Sequence, residues 1–295
     1  MSRRVSVIIP IYNDPEGTRT TLKSLVCQKY DNYEILPVDN ASTDETPTVI
    51  ESFAESYPEL VEPLEETEIQ SSYAARNTGI EHARGEILAF IDADMHVEED
   101  WLERLVGFYE ETDCDYVGYE VVVTTTADPT IWERYERSLA FPVEEYLGRE
   151  RYAPTCALLV ERSVVDQVGR FDERLVSSGD REFGHRVHRA GFEQCFTDEV
   201  TAYHPARSSF DALRSKAVRI GRGREQVRRF HPELGNAPHP LDPFGVAPPN
   251  PFRVRRQFSE PTSVFGFFFF YLFEYVLKLF QQKGAIAEFI RLSRP

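Results

Sequence analysis

The sequence predicts an α/β protein, a mostly parallel sheet flanked by helices, and three observations carry that expectation. Strand-like apolar runs alternate with amphipathic helical segments through the first half of the chain. Repeated βα units of this length imply parallel strands with helices over the faces of the sheet. One run, Ile87 to Ile91, is apolar throughout, as in a strand covered on both faces. It leads straight into Asp92-Ala93-Asp94. Residues i and i+2 of an extended chain point the same way, so both carboxylates converge just past a strand end, where open α/β sheets bind ligands.

Taken in order, Val5 to Ile11 is a β-branched first strand, and Pro15 to Cys27 a helix with Leu22, Leu25 and Val26 on one face. Arg3-Arg4 before that strand superficially resembles a signal peptide, but no small-residue cleavage site follows. The strand is expected to stay in the mature protein. Tyr33 to Val38 is a second strand, and Ser42-Thr43-Asp44-Glu45 is expected to cap the next helix. Val61 to Leu64 reads as a short strand, Ser71 to Ala83 as a helix with Gly85 as its C′ residue, and Glu86 to Ile91 as the central strand. Beyond it come a helix at Trp101 to Glu111, a strand at Tyr116 to Val123, an aromatic-spotted helix from Asp128 to Arg151 and a strand at Thr155 to Val160. A charged helix from Ser177 to Ala190 stops at Gly191, and a long basic helix runs from Ser208 to Phe230.

Eight prolines between 231 and 261 mark a linker or irregular surface loop. The expected organisation is a sheet-bearing domain over 1–230, that linker over 231–261, and a C-terminal amphipathic helix over 262–295. The last segment, VFGFFFFYLFEYVLKLF, keeps an apolar core of about ten residues, against roughly 20 for a bilayer span. It is too aromatic for an ordinary solvent-facing helix. A helix lying in the membrane interface is the leading reading; a helix packed on the domain or a partner, and a true span, stay open.

Asp and Glu number 49 against 33 Lys and Arg, a net charge of −16, which argues against non-specific nucleic-acid binding. Only five of the basic residues are lysines. Acid-rich, lysine-poor surfaces stay hydrated where salt screens their self-repulsion, so a salt-loving, archaeal source is expected. The four cysteines, Cys27, Cys114, Cys156 and Cys195, show no Cys-x-x-Cys pair or zinc spacing. They suggest a reducing compartment with neither a disulfide framework nor a structural metal.

Polar residues cluster at successive strand ends: Pro10-Ile11-Tyr12-Asn13-Asp14, Asp39-Asn40-Ala41-Ser42-Thr43-Asp44, Arg76-Asn77 before the central strand, and Asp92-Ala93-Asp94 after it. Such a rim suits a metal-bound diphosphate. Oxygen ligands favour Mg²⁺ or Mn²⁺, and a guanidinium offsets phosphate charge. Asp39 could accept a hydrogen bond from a pyrimidine imide. No Gly-x-Gly-x-x-Gly or Walker-type loop is present, which speaks against a dinucleotide enzyme or kinase.

VSVIIPIYND, EILPVDNASTDET, AARNTGIEHARGEILAFIDADM and SGDREFGHRVHRAGF, in that order, resemble the family-2 glycosyltransferases of GT-A fold over roughly residues 5–205. The resemblance implies a nucleoside-diphosphate sugar donor, with a lean to UDP or GDP. Tyr12, Asn13 and Asp14 would lie near base and ribose, Asp39 would contact the base and Arg76 would sit by the diphosphate or ribose, with Pro10, Asn40 and Asn77 also in the nucleotide-sugar site. Asp92 and Asp94 match its Asp-x-Asp motif, with Asp94 the more direct ligand of Mn²⁺ or Mg²⁺ and His204 a further one. The family's Glu-Asp motif, whose Asp is the catalytic base, reads Gly179-Asp180 here; Asp180 is carried over, with Glu182 as understudy. One base and in-line displacement imply inversion at the anomeric carbon.

The second half would read the acceptor. Trp132, Tyr135, Phe141 and Tyr146 could stack on a sugar or lipid, or be ordinary core. Arg214, Arg219, Arg222, Arg224, Arg228 and Arg229 could hold a lipid phosphate, or pair with the chain's own acids. Together with the aromatic C-terminus they suggest a polyprenyl-phosphate-linked glycan acceptor, met on the cytoplasmic face of the membrane during surface-glycoprotein or polysaccharide assembly. A sugar nucleotidyltransferase and a non-catalytic sugar-nucleotide-binding module are the alternatives. The first lacks its Gly-rich loop after strand one; the second draws on the missing Glu at Gly179.

Overall fold

The computed structural model describes residues 2–139, 141–235, 238–258 and 264–293. In chain order the first unit begins with β1 (Val5–Ile11), α1 (Pro15–Leu25), β2 (Tyr33–Asp39), α2 (Thr46–Ser56), β3 (Leu64–Glu65), α3 (Ser72–His82) and β4 (Ile87–Phe90). After β5 (His96–Val97), α4 (Trp101–Glu111) and β6 (Tyr116–Thr124) the chain leaves for α5 (Ile131–Leu139). It returns with α6 (Val143–Glu145), β7 (Leu158–Glu161), α7 (Arg162–Val168), α8 (Gly179–Arg189) and β8 (Gln194–Pro205). Met1–Val122, Pro142–Arg174 and Gly179–His204 make up this unit, and Val123–Phe141, Leu175–Ser178 and Pro205–Pro295 a second.

Among the described residues the strands form one eight-stranded sheet, ordered β3-β2-β1-β4-β7-β6-β8-β5. β3, β2, β1 and β4 are parallel, β7 turns antiparallel to β4, and β6 runs antiparallel to β7. β4 is buried at every position, as its uninterrupted apolar run requires.

Several local expectations are corrected. Gly85 is no left-handed cap: its φ is not positive, and it is glycine because a Cβ would press on the Ser6 amide. α2 starts only at Thr46, where Asp44 Oδ1 accepts the Thr46 amide at 3.0 Å as a short polar side chain of that run was expected to, while Glu45 gives no side-chain cap. The helix expected from Asp128 to Arg151 is broken at Pro142 into α5, α6 and a π turn at Tyr146–Glu150. β8 was not anticipated. Cys114 and Cys195 are disulfide-bonded, with Cα atoms 5.9 Å apart, contrary to the expected absence of a disulfide. They flank the sheet at β6 and β8, neighbours in the sheet but 81 residues apart in the chain. Spacing alone could not reveal that.

Glu34 is 1% exposed at the start of the sheet. It accepts hydrogen bonds from Ser6 Oγ and from the Arg84 amide and Nε, all at 2.6 Å, and from Arg4 at 2.9 Å. Burial pushes its carboxyl up, but these donors outweigh that and hold it below the usual range. Glu34→Ala leaves the donors unmatched and is expected to lower stability by about 3 kcal/mol. A depressed folded pKa stabilises above the unfolded value of 4.5 and less as pH falls through the folded one. Melting curves of wild type and variant should therefore converge in acid.

The second unit packs α5 against α9 (Phe210–Phe230), α10 (Pro251–Gln257) and α11 (Val264–Leu292). Its core is Tyr135, Leu213, Ala217, Val254, Phe258, Phe270, Phe273 and Leu277, with Trp132 against it. Trp132 and Tyr135 are thus core. α9 and α11 approach backbone to backbone: a Cβ on Gly221 would strike the Gln281 carbonyl, and one on Gly284 the Val218 carbonyl. Three of the six α9 arginines have acidic partners within the chain, Arg222 with Glu288, Arg228 with Glu225 and Arg214 with Asp211. Buried Glu136 receives Lys216 at 2.7 Å and Arg207 at 2.8 Å. Against its burial, the two cations hold its carboxyl at about 2. No described helix is long and apolar enough to cross a membrane.

Candidate active site

The site residues named from the sequence all fall in the first unit, and most sit where β1, β2 and β4 end. The loops after β1 and β2 are laced together. Ser42 Oγ accepts from the Asn13 amide at 2.9 Å, the Thr43 amide donates to Asn13 Oδ1 at 2.7 Å, and the Asp14 amide donates to Thr46 Oγ1 at 2.9 Å. Asn13 takes φ +49°, a left-handed conformation Asn tolerates better than most residues. Asp14 caps α1 by accepting from the Gly17 amide at 2.9 Å. Pro10 is half-buried within β1 and Tyr12 is exposed just past it. Asp39, 8% exposed, accepts from the Ser42 amide at 3.2 Å.

Two of the named amides anchor loops. Asn40 Nδ2 donates to the carbonyls of Glu66 and Ile69, both at 2.9 Å. Asn77 exchanges hydrogen bonds with the Phe171 backbone at 2.9 and 3.1 Å. Glu182, the understudy for the base, is buried and forks onto Arg186 at 2.6 and 2.8 Å, a structural ion pair.

At the end of β4, buried Arg76 donates to Asp92 Oδ1 at 2.6 Å. Its Nε–H is buried and finds no acceptor among the described residues. Asp94, two residues on, lies 3.8 Å from His204 Nε2. β5 fixes that approach: His96 pairs with Tyr203 in register and stacks on its ring at 4.8 Å. Asp180 occupies the first turn of α8 and accepts from the Arg181 amide at 2.9 Å. Cys156 is buried in the 3-10 turn just before β7. Its thiol is pushed up by burial and then by Asp92, with Arg76 opposing and Asp180 and Asp94 adding.

The sequence pattern missed Tyr73. From α3 its hydroxyl accepts the Gly179 amide at 2.8 Å, its ring stacks on Phe171 at 5.8 Å, and Arg76 lies over that ring at 5.7 Å. The only hint was its i, i+3 spacing from Arg76.

Asp94 and His204 offer one carboxylate and one imidazole, while Asp92 is engaged by Arg76. No group of three or more His, Cys, Asp or Glu able to hold a metal occurs among the described residues. The donor pair still fits a divalent ion whose remaining positions a diphosphate would fill, and a mixed oxygen and nitrogen set suits Mn²⁺ better than Mg²⁺.

Residues 6–168, more than half the chain, match the family described as Glycosyl transferase family 2. The chain belongs to glycosyltransferase family 2. The glycosyltransferase AglE of Haloferax volcanii is 41% identical over 225 residues, 76% of this chain and 73% of that protein. That haloarchaeal likeness agrees with the acid-rich, lysine-poor composition. The mannosyltransferase PcManGT from Pyrobaculum calidifontis, solved in complex with GDP-Man and Mn²⁺, superposes with a TM-score of 0.67 at 20% identity, covering 98% of this chain and 88% of that one. S. aureus TarS 1–349 in complex with UDP-GlcNAc gives 0.53 at 22% identity, covering 74% and 66%. The fold is the GT-A α/β fold that the ordered motifs imply, and this family member is a glycosyltransferase.

Proposed function

We propose that this glycosyltransferase moves a sugar from a UDP- or GDP-sugar to an acceptor hydroxyl with inversion at the anomeric carbon. The observation that carries the reading is the Arg76–Asp92 pair and the Asp94–His204 approach just past the end of β4, with the Tyr73 ring under Arg76 and its hydroxyl on the first amide of α8, the helix whose first turn bears Asp180. The laced loops after β1 and β2 would hold base and ribose through Pro10, Tyr12, Asn13, Asp14, Asp39 and Asn40. Arg76 and Asp92, with Asn77 fixing the loop behind them, would face the diphosphate. Asp94 and His204 would hold Mn²⁺ or Mg²⁺, which when bound offsets charge on the departing diphosphate. Asp180 takes the proton from the acceptor hydroxyl as its oxygen bonds to the anomeric carbon, and the bond from that carbon to the phosphate oxygen breaks. A single displacement inverts the centre. GDP-Man and UDP-GlcNAc in the structural neighbours support a nucleotide-sugar donor.

The acceptor in this reading is a polyprenyl-phosphate-linked glycan met at the cytoplasmic face of the membrane. The second unit supplies the support. Opposite its packed face α11 turns outward Phe265, Phe268 and Leu272, 88%, 66% and 50% exposed, continuing to Leu279; the i, i+3, i+7 spacing makes one stripe. α10 presents Phe252 with Arg253, Arg255 and Arg256 exposed. Aromatic stripes beside arginines are what interfacial helices use on anionic lipid. The linker and helix boundaries at 231–261 and 262–295 belong to the same proposal.

The test is donor binding and hydrolysis across UDP- and GDP-sugars, with Mn²⁺ or Mg²⁺, at low and molar salt. Metal-dependent binding is expected and should drop at least tenfold in Asp94→Ala, the loss of one charged ligand. Absence of binding to every donor at every salt overturns the reading in favour of a module that does not use nucleotide sugars.

A further inference from the structure

We infer that Tyr73 is a positioning residue for the base: it sets the start of α8, and hence Asp180, against the Arg76–Asp92 pair. The inference rests on the reading of Asp180 as base. Three contacts made by one side chain carry it. The Tyr73 hydroxyl accepts the Gly179 N–H at 2.8 Å, one of the first amides of α8, which no helical carbonyl can satisfy. Its ring fills the space beside the Gly179 Cα, where an added Cβ would lie 2.7 Å from the ring carbon Cζ. The same ring carries the Arg76 guanidinium at 5.7 Å, and that guanidinium holds Asp92 at 2.6 Å. A continuous chain of contacts therefore runs from Asp92 through Arg76 and Tyr73 to Gly179 and Asp180.

The geometry also accounts for the departure from Glu-Asp at this position. With Tyr73 present, any side chain at 179 collides with an aromatic ring packed in turn on Phe171. Rings of this kind sit in close-packed interiors and give way little. Gly179 and Tyr73 are therefore a matched pair: the ring takes the volume a Glu side chain would use, and its hydroxyl takes over the fixing of the helix start.

Tyr73→Phe keeps the ring and removes only the hydroxyl. Measured with donor and acceptor varied separately, it should lower kcat about tenfold, the worth of one positioning hydrogen bond, and leave the donor KM unchanged. Tyr73→Leu removes the platform under Arg76 as well and should also raise the donor KM. Gly179→Glu alone should lose turnover, whereas Gly179→Glu combined with Tyr73→Ala should recover part of what Tyr73→Ala loses. A purely structural tyrosine predicts the opposite: Tyr73→Phe lowers the melting temperature with kcat intact, or the double variant does no better than the product of its singles. Either result overturns the inference. If Asp180→Asn retains full turnover, the base assignment itself fails, and the two failures are told apart by that variant.

Discussion

Asp180→Asn keeps donor affinity and loses about three orders of magnitude in kcat. The amide has the carboxylate's shape, and its oxygen can still accept the Arg181 N–H that holds the group at 2.9 Å. It cannot accept a proton. General-base removal of this kind costs roughly 10² to 10⁴ in rate, and three orders corresponds to about 4 kcal/mol of barrier. The buried alternative, Glu182, is locked to Arg186 through both oxygens and offers no rescue. Donor binding by calorimetry and transfer under saturating acceptor check both halves. An unchanged kcat would falsify the assignment of the base.

Arg76→Ala carries the second large effect, and it falls on binding. Arg76 is 4% exposed and spends one nitrogen on Asp92, a second on the Ser72 carbonyl at 3.3 Å, and its flat face on Tyr73. Its loss leaves Asp92 without its cation. That costs about 2 kcal/mol of stability, less than for a fully buried pair because Asp92 is one-third exposed and partly solvated. Donor affinity should fall by about one to two orders of magnitude, the range of a lost charge-assisted hydrogen bond to phosphate. Arg76→Lys restores charge without the planar fork and should recover only part of it. Titration with the donor's nucleoside diphosphate gives the readout, and wild-type affinity in Arg76→Ala would remove the diphosphate from this end of β4.

What could be read from the chain and what could not divide along physical lines. β4 was legible because burial on both faces writes itself as an unbroken apolar run. Past its end Ala93-Asp94 form a turn, so Asp92 and Asp94 take different neighbours, Arg76 and His204, instead of converging as an extended strand would have them. α4 was legible through its amphipathic period. β8 was not: Thr197-Asp198-Glu199 interrupts its pattern, and its residues alternate irregularly between buried and exposed. The Cys114–Cys195 bond and the Tyr73–Gly179 contact join positions 81 and 106 residues apart; only the strand order and helix placement bring them together. On α9, Arg222 reaches Glu288 on the opposing helix, a partner that a one-dimensional reading hides, whereas Arg214–Asp211 and Arg228–Glu225 are i, i+3 pairs along the same helix. Ser42 and Thr43 looked like a helix cap for a similar reason: local propensity favoured the cap, and the neighbouring Asn13 claimed them instead.

Gly221 and Gly284 have a mechanical meaning beyond close packing. Each lets one helix rest its backbone directly on a carbonyl of the other, at Gln281 and Val218. Contacts this close leave little room for relative movement, because packed interiors compress little. α11 is therefore keyed to α9 at two points, where a roll or a slide would bring a carbonyl toward an α-carbon. The outward row of Phe265, Phe268 and Leu272 is thus a fixed address on the second unit, pointed before anything arrives to meet it.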